Sequence, residues 1–202
     1  MRMVVASKNT GKIEEIKSCL LDTLSIEVVS MSEYPDIPEI IENGQTFEEN
    51  AIKKALIVAE YTKELALADD SGLVVDCLNG EPGVLSARFG GEDIDDNSRN
   101  QLLLERIKNV CNQSFLLSLK TARFVCALAI ATPEGVVKTV QASCEGIIAD
   151  VPSGEHGFGY DPIFIPDGYT STFAELGMEI KNKLSHRAKA LEKARDVLEK
   201  ML

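Results

Sequence analysis

Apolar residues recur along this chain in two rhythms, and the switches between them mark its elements. Residues 3–6 are a short apolar run, and the polar loop "SKNTGK" follows it. Over residues 12–24, Ile13, Ile16, Leu20 and Leu24 recur at helical spacing, and "IEVVS" at 26–30 reads again as a strand. A β-loop-α-β opening predicts an α/β layered fold. After the acidic, Pro-containing connector "SEYPDIPEIIENGQ", the stretch "TFEE" predicts a capping box, Thr46 accepting from the backbone and Glu49 reaching back. The helix it opens is expected to run to about residue 65, with Phe47, Ala51, Ala55, Val58 and Thr62 on one face.

Further along, "LALAD" and "GLVVD" read as two short strands on either side of Asp69 and Asp70, with Ser71-Gly72 as turn chemistry between them. "NGEPGVLSARFGG" reads as an irregular loop, and residues 95–110 as a helix with Leu103, Ile107 and Val110 inward. In 122–132, Phe124, Cys126, Leu128 and Ile130 alternate with Val125, Ala127, Ala129 and Ala131, the pattern of a strand covered on both faces. "PEG" turns it into "VVKTVQASCEGIIA", a long hairpin. "PSGEHGFGYDP" is a glycine-rich loop, "IFI" a short strand and "PDGY" a turn. From Ser185 onward, Ala188, Leu191, Ala194, Leu198 and Met201 predict a closing amphipathic helix.

A chain of 202 residues can bury a full core, and one domain spanning 1–202 is expected. The net charge of −11 argues against non-specific nucleic-acid binding, which needs an excess of Lys and Arg. A small anion remains admissible where cations cluster locally or a metal intervenes. The five cysteines lie without a C-x-x-C, as small hydrophobes of a reducing compartment do. No apolar run reaches a membrane span and the N-terminus lacks a secretory apolar stretch, so a cytoplasmic protein is expected.

Four stretches could carry chemistry. "SKNTGK", between a strand and a helix start, is an anion site by backbone N–H groups and dipole, or a turn capped by Asn9 or Thr10. It is no Walker loop, since Ala6 and Ile13 stand where Gly and Ser or Thr are required. The Asp69-Asp70 pair is a polar strand end, or a carboxylate site for a metal, with one Asp facing a cleft and the other held by backbone donors if the chain turns at Ser71-Gly72. "GEHGFGYDP" lets a backbone approach a ligand beside Phe158 and Tyr160, or is a loop with core aromatics. In "KNKLSHR", Ser185 reads as an N-cap, which puts His186 and Arg187 against the helix dipole, a local conflict of the kind that tends to be functional; the alternative is a solvated basic turn before a helix.

The ordered set "SKNTGK", "ENGQTFEENAIKKA", "ADDSGLVVDCLNGEPGVLSARF", "GFGYDPIFIPDGY" and "KNKLSHRAKAL" resembles the inosine-triphosphate pyrophosphatase family, over nearly the whole chain. The resemblance implies an α/β fold with an elongated central mixed sheet flanked by helices, two lobes and an active-site cleft between them. It implies hydrolysis of the non-standard purine nucleotides ITP, dITP and XTP to monophosphate and pyrophosphate, with Mg²⁺, by a homodimer. Carried over by position, Ser7, Lys8, Asn9, Thr10, Gly11 and Lys12 would cradle the triphosphate, with Lys54 facing phosphate. Asp70 would be the catalytic carboxylate at the metal, and Ser71 a substrate contact. Phe158, Gly159, Tyr160 and Asp161 would hold the base and sugar region, and Lys181, His186 and Arg187 would complete the base pocket. The chain departs from the family pattern at Ile41-Glu42-Asn43-Gly44, where Glu42 takes the second metal position, and at Glu155-His156. Two other readings compete. One is a Maf-like pyrophosphatase acting on pyrimidine or modified nucleotides, against which "GFGYDP" and "SHR" argue. The other is a non-catalytic nucleotide-binding module.

Overall fold

The computed structural model describes residues 2–20, 26–113 and 120–201. In chain order the elements are β1 (Arg2–Val5), α1 (Thr10–Leu20), β2 (Glu27–Ser30), α2 (Phe47–Thr62), β3 (Leu65–Val75), α3 (Asp96–Gln113), β4 (Thr121–Ala131), β5 (Val137–Ile148), β6 (Phe164–Pro166), α4 (Phe173–Leu184) and α5 (His186–Met201). The strands are hydrogen-bonded in the order β2-β1-β3-β4-β5-β6. β1 pairs parallel with β2 and with β3, and β5 pairs antiparallel with β6, so the sheet is mixed, as expected. The chain divides into two compact units, 1–71 with 126–142 and 186–202, and 72–125 with 143–185.

In the first unit, strand alternation sorts side chains onto two faces. Met3, Val5, Leu65, Leu67, Cys126, Leu128 and Ile130 join Ile16 and Leu20 of α1 and Ala190, Leu191, Ala194 and Leu198 of α5 in one core. Val4, Ala6, Ala66, Ala68, Ala127, Ala129 and Ala131 join Ala51, Ala55, Val58 and Ala59 of α2 in another. Large residues line the first face and alanines the second. With both faces covered, the strands read as unbroken apolar runs.

The second unit has one core, built on Leu73, Val75, Phe124, Leu103, Ile107, Ile163, Phe164 and Phe173. The Phe124 and Phe164 rings lie 4.7 Å apart, and Phe164 and Phe173 stack at 5.5 Å, separations at which offset aromatic pairs attract. Leu103 and Ile107 face inward as expected, whereas Val110 is exposed.

Five expectations change. "LALAD" and "GLVVD" are one uninterrupted strand, β3, with no turn at Ser71-Gly72. The box at "TFEE" is half-formed: Thr46 accepts from the Glu49 N–H, but Glu49 accepts from Gln45, one residue before the cap. Lys63 takes a left-handed conformation (φ 58°) and donates its N–H to the Ala59 carbonyl, so α2 stops at Thr62, short of residue 65. α4 was not anticipated. It opens on "TFAE", a complete capping box in which Thr172 and Glu175 each accept from the other's backbone. Ser185 is an extended residue closing α4 and leading into α5, so the "basic turn" is the last turn of a helix. Leu24, the last residue of the helical spacing read over 12–24, lies outside the described residues.

Candidate active site

β3 carries the centre of the first unit's polar cluster. Because its backbone stays extended, Asp69 and Asp70 point to opposite faces of the sheet. Asp69 follows Leu65 and Leu67 toward α1 and α5. Its side chain is fully buried and accepts from Lys12 Nζ (2.5 Å), Arg187 Nε (2.8 Å), Ser71 Oγ (2.6 Å) and the Cys126 thiol (3.2 Å). These donors are side chains, not the backbone groups expected from sequence. Arg187 continues the network to Glu15 of α1, also buried, and its Nη2 lies 3.3 Å from Ser71 Oγ. Burial alone would raise the Asp69 pKa, but the Arg187 and Lys12 cations outweigh it and hold the carboxyl well below the usual range. Burial and the Asp69 charge push the Cys126 thiol well up, so it stays protonated as a donor.

Asp70 follows Ala66 and Ala68 toward α2. Lys54 donates to Asp70 Oδ1 (2.8 Å), to Glu42 Oε1 (2.7 Å) and to the Asp69 carbonyl (2.9 Å). Asn50, one turn earlier on α2, donates to Asp70 Oδ2 (3.2 Å) and accepts from the Gly44 N–H (2.8 Å). The acidic connector is thus tied to the catalytic-candidate strand through Asn50. A Cβ at Gly44 would stand 2.7 Å from Asn50 Oδ1, so only glycine fits there. Burial raises the Asp70 pKa, and Lys54 only partly offsets it. Lys54 is shifted up: burial lowers it, but Asp70 and Glu42 together prevail. Two adjacent carboxyls are therefore pushed in opposite directions, the pattern that separates a structural anion from a proton acceptor.

The donor set can be tested against Mg²⁺. Among the described residues no group of three or more His, Cys, Asp or Glu is assembled. Glu42 and Asp70 do converge on one cation, the Lys54 ammonium. Two carboxylates, with the remaining positions left to water and substrate phosphates, fit the way Mg²⁺ is held in phosphate-processing sites.

Ser7, Lys8 and Asn9 form the loop before α1, with Lys8 and Asn9 exposed, and Thr10, Gly11 and Lys12 open the helix. Asn9 Oδ1 accepts from the Lys12 N–H at 3.0 Å, and Ser7 Oγ accepts from the Asn9 N–H at 3.1 Å. Asn9 is thus the cap, which leaves the helix dipole directed at the loop. His186 is buried at the start of α5.

In the second unit, Phe158, Asp161 and Lys181 form their own cluster. Lys181 Nζ lies 2.5 Å from Asp161 Oδ2 and 4.2 Å from the Phe158 ring centroid. Asp161 Oδ2 also accepts from the Phe158 N–H at 2.9 Å. A Cβ at Gly157 would meet that same oxygen at 2.1 Å, so the close packing requires glycine. Tyr160 is a core residue: it is buried, its hydroxyl donates to the Ser86 carbonyl at 2.9 Å, and burial raises its pKa.

The sequence marks Asp69 only as half of an acid pair and does not point to Glu15, Asn50 or Cys126. Asn50 and Lys54 carried a usable signal, two polar residues four apart among the inward alanines of α2. Glu15 carried none, since only the fold brings it to Arg187.

Known proteins resemble this chain over nearly its whole length. The chain is 51% identical over 201 residues to a dITP/XTP pyrophosphatase of Desulforamulus reducens, covering 100% of this chain and 97% of the relative. It is 46% identical over 197 residues to a dITP/XTP pyrophosphatase of Geobacter sulfurreducens, covering 98% and 96%. A HAM1 protein from Coxiella burnetii superposes with a TM-score of 0.88 at 39% identity, covering 99% of both chains. The Staphylococcus aureus Ham1 protein superposes with a TM-score of 0.85 at 38% identity, over 100% of both. The Ham1 family profile matches residues 3–197, and the chain belongs to the Ham1 family.

Proposed function

We propose that this chain hydrolyses the non-standard purine nucleoside triphosphates dITP, XTP and ITP to the monophosphate and pyrophosphate, with Mg²⁺, as a cytoplasmic homodimer. The observation that carries the reading is the buried Asp70 carboxyl beside Lys54 and Glu42, at a strand position next to the ion-paired Asp69 on the opposite face. Relatives of nearly equal length named dITP/XTP pyrophosphatase supply the substrate class.

In this reading the loop Ser7–Asn9, the first turn of α1 and Lys12 grip the polyphosphate, whose charge is met by backbone N–H groups and the ammonium. Asp70 accepts the proton of the water that attacks phosphorus, and a raised pKa makes it the better base. Lys54 stays beside Asp70 and balances charge as pyrophosphate leaves. Glu42 and Asp70 would hold the metal, which supplies positive charge to the phosphate oxygens. In the second unit, Phe158 offers a ring face and Lys181 a donor to a C6 carbonyl. An adenine amino group would leave such a donor unpaired, at a cost of about 1–3 kcal/mol for a buried group.

A second reading is favoured for Arg187. Its guanidinium is spent on Asp69, Glu15 and Ser71. That geometry supports an anchor for Asp69 more than a reader of the base. Arg187→Ala is then expected to lower thermal stability and to reduce kcat/KM for ITP and ATP together. A fall confined to ITP, with stability kept, would return Arg187 to base recognition.

The function is tested by following pyrophosphate release from ITP, dITP, XTP, GTP and ATP, with and without Mg²⁺. Release from the first three, Mg²⁺-dependent and well above ATP, is expected. Release of inorganic phosphate instead, or equal turnover of ATP, would overturn the reading, and sedimentation of the same sample reports the oligomer.

A further inference from the structure

Gly159 sits between Phe158 and Tyr160, and both its peptide groups are held by one helix. Asp96 Oδ2 of α3 accepts from the Gly159 N–H at 2.7 Å, and Asn100 Nδ2 donates to the Gly159 carbonyl at 3.0 Å. The two residues are four apart, so they stand on the same helix face. Asn100 is 1% exposed.

The helix start that presents them is itself pinned. Asp95 Oδ1 accepts from the Ser98 N–H at 2.8 Å, the reach of an N-cap. Arg99, buried, donates to the carbonyls of Phe89 (2.8 Å) and Ile94 (2.9 Å), which fastens the preceding loop to α3. Gly159 has φ +62°, and no atom lies within 4 Å of the point where its Cβ would stand. Its backbone is therefore gripped on one side and open on the other. Glycine loses more conformational freedom on ordering than any other residue, so an ungripped Gly159 would have to be ordered by the ligand.

We infer that Asp96 and Asn100 are positioning residues for base recognition, holding the Phe158-Gly159 segment in its binding conformation before the nucleotide arrives. The inference rests on the proposed placement of the base at Phe158 to Asp161. Neither residue touches the polyphosphate grip, which belongs to Lys12 and the loop before α1. Loss of either should weaken ligands that carry a base and spare those that do not.

The experiment measures KM and kcat for ITP, and inhibition by pyrophosphate, in wild type, Asp96→Ala, Asp96→Asn, Asn100→Ala and Phe158→Ala. Asp96→Ala and Asn100→Ala are expected to raise the ITP KM by about tenfold, the worth of one charge-assisted or buried hydrogen bond, with pyrophosphate inhibition and kcat little changed. Asp96→Asn keeps an acceptor oxygen and should restore most of the KM. Asp96 is exposed, so its variants fold even if Asn100→Ala does not. Unchanged KM in Asp96→Ala, while Phe158→Ala raises it, would overturn the inference and leave the base placement standing. Unchanged KM in Phe158→Ala as well would remove the base placement itself, and the inference with it. Equal losses for ITP and pyrophosphate would mark a general structural role and also overturn it.

Discussion

Asp69 and Asp70 differ by one position along β3, and that one position decides their chemistry. Asp69 meets two cations on one face of the sheet, and Asp70 meets one lysine, shared with Glu42, on the other. Asp70→Asn is expected to keep the fold and lose turnover by about 100- to 10,000-fold, the span of general base catalysis. Thermal unfolding and single-turnover assays read the two effects separately. Asp69→Asn should do the reverse first. It strips the charge facing buried Arg187 and Lys12, and breaking such a pair costs about 3–5 kcal/mol of stability. A variant at 69 that unfolds like wild type would show that the network is not what holds α5 to β3. The pH dependence follows from Asp70 itself. Its ionised form is the base, and burial raises its pKa in the free enzyme, so kcat/KM should fall with acid from a point above the ordinary carboxylate value of 3.8. A profile flat down to that value would contradict the assignment.

At the element scale, local chemistry and tertiary context divided the work unevenly. The caps of α2 and α4 are both Thr-x-x-Glu, yet only Thr172 and Glu175 close the reciprocal pair. Thr172 Oγ1 also donates to the Ser153 carbonyl at 2.7 Å, which fastens the glycine loop to the helix start. Thr172→Ala should therefore cost more than Thr46→Ala, toward the upper end of about 0.5–2 kcal/mol for a lost cap, as denaturant midpoints would report. Equal losses would mean that the Ser153 bond contributes nothing. β3 is the clearest case in which reading residue types misled. Ser71-Gly72 is good turn chemistry, but Leu73 and Val75 gain a core by continuing the strand, and burial outweighs turn propensity.

At the scale of the whole molecule, an acidic chain has to hold an anion. With a net charge of −11, it concentrates Lys12, Lys54 and Arg187 around one strand and matches them with Asp69, Glu15, Asp70 and Glu42. Acid should dismantle this. Asp69 has a depressed folded pKa, so its stabilisation is full above the unfolded value of about 3.9 and is lost as pH falls through the folded value. Asp70 works oppositely: its raised pKa makes the folded state slightly less stable as pH rises between the two values. The expected outcome is that wild-type stability falls with acid below about pH 4, and that Asp69→Asn, already less stable at neutral pH, shows a shallower dependence on pH, measured by denaturant unfolding at a series of pH values. Persistence of the same pH dependence in that variant would assign it to other carboxylates. Among the described residues no helix is long and apolar enough to cross a membrane, which agrees with the composition.

What the sequence by itself determined was local and periodic. Alternation in 122–132 correctly assigned Cys126, Leu128 and Ile130 to one face and the three alanines to the other, because a strand's side chains have a fixed period of two. The helical spacing of α1, α2, α3 and α5, the Thr46 cap and the Asn9 alternative were legible for the same reason. The motif set, read as a resemblance, led to the family. Tertiary structure decided the rest. Asp69 and Asp70 look alike in sequence, and only the helices packed on each face give one two cations and the other a lysine shared with Glu42. Arg187 conflicts with its own helix dipole until Glu15, 172 positions away, arrives beside it. Tyr160 looked like a ligand contact until its hydroxyl found the Ser86 carbonyl. Charge pairing and burial act through space at a few ångströms, and separation along the chain carries no record of which groups folding will bring that close.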